Sequence, residues 1–162
     1  MQMIKTLFNK SLSIFLGVNF CVPVFAQSYG YVNVFNNRNI ITIQRAPALV
    51  ASGDRAEDAK FCNPNDNFYC VASKWLNFSV PIFKKNKLSN WELNGYNYQL
   101  TGQGRKLLLG RYMDVLVIES RQNARKFRFL YSSQYGLVAF GAEIDGTSET
   151  FISDRATGFG RQ

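Results

Sequence analysis

Arg125-Lys126-Phe127-Arg128-Phe129-Leu130-Tyr131 carries the reading of the fold. Phe127, Phe129 and Tyr131 fall at alternate positions, with Lys126 and Arg128 between them. Successive side chains of a strand point to opposite faces, so this spacing puts rings on one side and cations on the other. The aromatic side is expected in the core and the charged side in water or against a partner.

The same period of two recurs outward from this stretch. Tyr31 to Phe35 alternates, Asn36-Asn37-Arg38-Asn39 turns, and Ile40 to Ile43 resumes, which reads as a hairpin. Asn94-Gly95 is a tight-turn dipeptide between Trp91-Glu92-Leu93 and the alternating Tyr96, Tyr98 and Leu100. Gly102-Gln103-Gly104 reads as the next turn. Leu107 to Leu109 and Val115 to Ile118 are the most apolar runs, and the second reads as a strand buried on both faces. Ser132 to Gly136 turns the chain into Leu137 to Phe140. Phe68 to Phe83 is apolar and aromatic, and Pro81 makes it an edge strand or splits it. Pro47 to Lys60 is the least β-like part. Its alanines and Glu57 read as a short helix or loop broken at Gly53-Asp54. The tail from Thr147 closes on the sheet through Phe151 and Phe159, or frays. The expected class is therefore mainly β, with α+β as the variant if the short helix forms. Six to nine strands would make one antiparallel sheet, curled as a small barrel or a sandwich.

The first 26 residues have the layout of a secretory signal peptide. Lys5 and Lys10 precede a short apolar stretch, Ser11 to Val18, and Val24-Phe25-Ala26 supplies a cleavage site before Gln27. A membrane anchor needs about 20 unbroken apolar residues, and Asn19 and Pro23 interrupt this run. A lipoprotein site fits poorly, because Phe20 and Asn19 precede Cys21. The remaining 27–162 has the size of a single domain and contains no further membrane-spanning run. It keeps two cysteines, Cys62 and Cys70, an even count that reads as one disulfide in a periplasmic or secreted protein. Closing so short a loop contributes about 2.5 kcal/mol in the chain-entropy model.

Charge narrows the class of partner. The whole chain carries +8. Of its 19 Lys and Arg, two lie in the leader, and the 11 Asp and Glu all lie beyond it, leaving +6 for 27–162. Such a surface favours anionic partners. Histidine is absent throughout, which removes serine–histidine and cysteine–histidine nucleophiles for want of a base. It also removes the usual transition-metal sites, and no cofactor is indicated. Carboxylate chemistry survives, with Glu92, Asp114, Glu119, Glu143 and Asp145 at strand ends. Gly102-x-Gly104 lacks the third glycine of a dinucleotide loop. Residues 63–67 lack the glycine and glutamate of a calcium loop. Asn77-Phe78-Ser79 matches a glycan acceptor but sits in a strand pattern.

The expected function is a non-enzymatic binding protein of the bacterial envelope, stapled by Cys62–Cys70. A basic face of Arg121, Arg125, Lys126 and Arg128, extended by Lys84, Lys85 and Lys87, would hold an acidic protein or an envelope polyanion. Nucleic acid is not expected, because on the Arg125–Tyr131 strand cations and rings fall on opposite sides. Two alternatives remain open. Aromatics at 15% could line a cavity for a small ligand or lipid, or a carboxylate pair could hydrolyse cell-wall sugar.

Overall fold

A computed structural model of the chain describes residues 27–63, 66–82, 88–122, 124–144 and 146–161. Among these there are thirteen strands and no helix. The first meander is β1 (Ser28–Asn33), β2 (Ile40–Arg45), β3 (Ala48–Ser52) and β4 (Arg55–Asp58). A small sheet follows, made of β5 (Lys60–Phe61), β6 (Phe68–Ala72) and β7 (Asn77–Pro81). The second meander comprises β8 (Asn90–Leu93), β9 (Tyr96–Leu108), β10 (Arg111–Gln122), β11 (Arg125–Ser132), β12 (Gly136–Ile144) and β13 (Thr147–Ser153). β13 pairs antiparallel with β1, which fuses the meanders into one ten-stranded sheet, β4-β3-β2-β1-β13-β12-β11-β10-β9-β8.

β4 and β8 do not meet, so the sheet is open and the barrel alternative is set aside. The small sheet packs against the large one as a second layer. The Phe78 ring of β7 lies 5.1 Å from Phe129 and 6.0 Å from Tyr131. Trp91 Nε1 donates to Ser79 Oγ at 3.3 Å across the same junction. The disulfide joins Cys62, just after β5, to Cys70 in β6.

Two expectations need correction. Residues 47–60 form no helix: Gly53, at φ +61°, is in the turn of the β3–β4 hairpin, and β2 supplies an edge for β3 to extend. Gly102 and Gly104 do not turn the chain. They lie inside β9, where the register slips from Ile118↔Leu100 to Val117↔Gly102. The glycines serve a β-bulge, which breaks the period of two and mimics a turn in the sequence. The reversal comes later, at Leu109-Gly110.

Phe127, Phe129 and Tyr131 are buried, as the alternation requires, while Arg128 is exposed. Rings meet rings through the core: Phe127 stacks on Phe129 at 5.8 Å and Phe140 on Phe151 at 5.0 Å. The tail closes on this core. Phe159 is fully buried, and its N–H donates to the Tyr31 hydroxyl at 3.0 Å. That hydroxyl donates in turn to Leu137 O at 3.0 Å. Gly158 lies so close to the Leu137 carbonyl that any Cβ there would collide with backbone.

Burial holds the Tyr31 phenol well above the usual tyrosine range, despite the hydrogen bond from Phe159. Burial raises Tyr98 and Tyr29 as well. An unfolded tyrosine ionises near about pH 10, so the stability these phenols confer is complete below that pH and falls as pH rises above it. Denaturant titrations between pH 8 and 11 are expected to show that decline. Tyr31→Phe is expected to destabilise by about 1–3 kcal/mol at neutral pH, by leaving a buried N–H unpaired, and to make the alkaline decline shallower.

Candidate functional site

Of the predicted basic face, Arg121, Lys126 and Arg128 stand together with carboxylates among them. Register places Arg121 opposite Lys126 and Glu119 opposite Arg128 on the outer side of the β10–β11 pair. Glu119 Oε1 accepts from Arg128 Nη2 at 2.7 Å and Nε at 3.0 Å, and Arg121 stands 3.9 Å from the other carboxylate oxygen. Lys126 lies 3.6 Å from Glu143 on β12. Three cations therefore share one face with two carboxylates. Arg125 leaves this group: its Nη1 donates to Lys74 O at 2.7 Å, pinning the β6–β7 turn. Lys84, Lys85 and Lys87 lie outside the described residues, as does Asp145.

The carboxylates are distributed rather than convergent. Glu119 and Glu143 sit in ion pairs, Asp114 lies opposite Arg105 on β9, and Glu92 is exposed on the edge strand β8. Among the described residues no three His, Cys, Asp or Glu side chains group as a metal site. Asp66 accepts from Asn63 N–H at 2.7 Å, a local turn bond. Asn77 is buried and its amide donates to Ser73 O, which removes it as a glycan acceptor in the folded chain.

A second basic surface, which sequence reading missed, lies at the far end of the β9–β10 hairpin. β8 pairs with β9 only over Tyr96–Gln99, and β11 with β10 only over Leu116–Gln122. The outer part of the hairpin, to Leu108 and Arg111, runs about 20 Å past those partners at ordinary strand rise. One side of this ribbon is fastened. Met113 and Val115 are buried against Val138, with Leu108, Leu130 and Tyr135 around them. The other side is open: Leu107 and its cross-strand partner Tyr112 are 61% and 64% exposed. Leu109 is exposed at the turn. Arg105 shares this open side and stands opposite Asp114, whereas Lys106 and Arg111 lie on the fastened side, opposite Met113 and Leu108, and all three cations are exposed. Among the described residues none of the three is in a salt bridge. Arg105 lies over the Tyr112 ring at 5.2 Å, and Arg111 over Tyr135 at 5.6 Å.

At the root of the open side is a groove of about 820 Å³. Leu88, Leu100, Val115 and Leu116 line it with polar neighbours, and among the described residues no aromatic side chain does. The signal for this surface was present in sequence as Arg105-Lys106 and Arg111 around an apolar triplet. The glycines at 102 and 104 drew the turn to the wrong place and hid the projection.

No family model, curated protein or solved structure matches the chain.

The Glu119–Arg128 pair is exposed on the arginine side, at 64%, and such pairs contribute little. Glu119→Gln is expected to change the unfolding free energy by less than about 1 kcal/mol in a denaturant titration. A loss several times larger would make this pair part of the scaffold.

Proposed function

We propose that the protein is a non-enzymatic binding protein, exported to the bacterial envelope, that holds an anionic partner with the outer end of the β9–β10 hairpin. The observation that carries this reading is the gathering of exposed Arg105, Lys106 and Arg111, from both sides of the ribbon, around exposed Leu107, Leu109 and Tyr112 at its outer end. The cations of the β10–β11 face are largely balanced by Glu119 and Glu143, so they offer a partner less net charge. Exposed cations attract over roughly a Debye length and are screened by salt. The Cys62–Cys70 bridge suits an oxidising compartment. The lack of histidine fits a protein that holds rather than converts.

Retention on immobilised heparin, a soluble-type polyanion, tests the reading. Replacing Arg105, Lys106 and Arg111 together by serine is expected to lower the eluting salt concentration sharply. Replacing Arg121, Lys126 and Arg128 by serine, with the same change in formal charge, is expected to lower it much less. The reverse ranking, or retention indifferent to salt, would overturn the proposal.

A further inference from the structure

We infer that the anionic partner is the surface of an acidic lipid bilayer, and that the Leu109 turn enters its headgroup layer. This deepens the function proposed above and rests on it.

Two turns in this chain have nearly the same pair of positive φ angles. Asn94 and Gly95 join β8 to β9 at φ +53° and +74°. Leu109 and Gly110 join β9 to β10 at φ +51° and +73°. Asparagine tolerates the left-handed region and is the preferred residue at the first position. A leucine there is strained. The chain thus uses the favourable residue in one turn and an unfavourable, exposed, apolar one at the tip of the β9–β10 hairpin. Leu109 is 36% exposed and belongs to neither buried core cluster.

An interfacial site explains it. Apolar side chains that reach the acyl boundary gain from leaving water, and basic residues beside them meet lipid phosphates. Leu107 and Leu109 supply the first kind, and Arg105, Lys106 and Arg111 the second. Tyr112 is amphipathic and suits the headgroup level between them. The charge is complementary to an acidic surface: from 105 to 114 there are three cations and one acid, Asp114, which lies level with Arg105, while Lys106 and Arg111 stand nearer the turn with no acid opposite them. A soluble polyanion would have no use for three exposed apolar groups. An acidic protein would use them, but a stable protein interface needs about 800 Å² from each side. A two-stranded tip offers little of that, whereas insertion needs only the few side chains at the turn.

Co-sedimentation of the oxidised protein with vesicles tests this. Vesicles of equal parts phosphatidylglycerol and phosphatidylcholine are expected to pellet the protein, and pure phosphatidylcholine vesicles to leave it in solution. Leu107→Ser with Tyr112→Ser is expected to weaken pelleting about ten-fold, a far larger loss than the accompanying fall in the salt concentration that elutes the protein from heparin. Leu109→Asn is expected to weaken it in the same direction while raising the melting temperature, since it relieves the turn. A loss of binding in that variant cannot then be misfolding. If heparin retains the protein and acidic vesicles do not, the lipid assignment is wrong and the anionic-partner reading stands. If the leucine and tyrosine variants pellet like the wild type, charge alone accounts for adhesion and insertion is wrong. If neither matrix nor vesicle holds the protein, both readings fall.

Discussion

The buried hydroxyl of Tyr31 joins three separated parts of the chain. It belongs to β1, donates to Leu137 on β12, and accepts from Phe159 in the tail beyond β13. Those segments surround the β1–β13 pairing, the one contact that turns two meanders into a single sheet. A polar group removed from water must find partners or oppose folding, so the network specifies one closure of the tail and disfavours others. Phe159 then lies against Tyr29, Phe61 and Phe78, which brings both sheets to the same core. The open ten-stranded sheet is coherent because its middle, rather than its edges, carries this closure.

Much of that was legible in residue order. Alternation at Phe127, Phe129 and Tyr131 named the buried face correctly, and Asn94-Gly95 named a turn whose two positive φ values the structure shows. The even cysteine count gave the disulfide. Two local signals misled. The alanines of 47–60 favour helix weakly, and pairing with β2 overrode them. Glycines at 102 and 104 marked a bulge, whose residue preferences overlap with those of turns. The strand count was too low because 47–60, where β3 and β4 pair, was read as helix or loop, and the break in 68–83 was sought at Pro81 while it falls at Ser73–Leu76.

The candidate surface was harder to read for a different reason. Sequence gives charge but not its neighbours across strands. Arg121, Lys126 and Arg128 looked like a basic face until register set Glu119 and Glu143 among them. Arg125 looked equivalent to them, yet it bonds the carbonyl of Lys74, 51 residues away. Conversely, Leu107 to Leu109 stood out in the sequence only as an apolar run. Only the short reach of β8 and β11 shows that the hairpin outruns its neighbours. The aromatic residues that invited a cavity reading face one another instead, from Phe78 through Phe129 and Phe140 to Phe151.

The account depends on the outer β9–β10 ribbon, and not the β11 face, being where a partner is met. Hydrogen–deuterium exchange of the oxidised protein, with and without phosphatidylglycerol-containing vesicles, reports this segment by segment. Slowed exchange confined to residues 103–115 is the predicted result. Slowed exchange at residues 119–128 with the ribbon unchanged would contradict it.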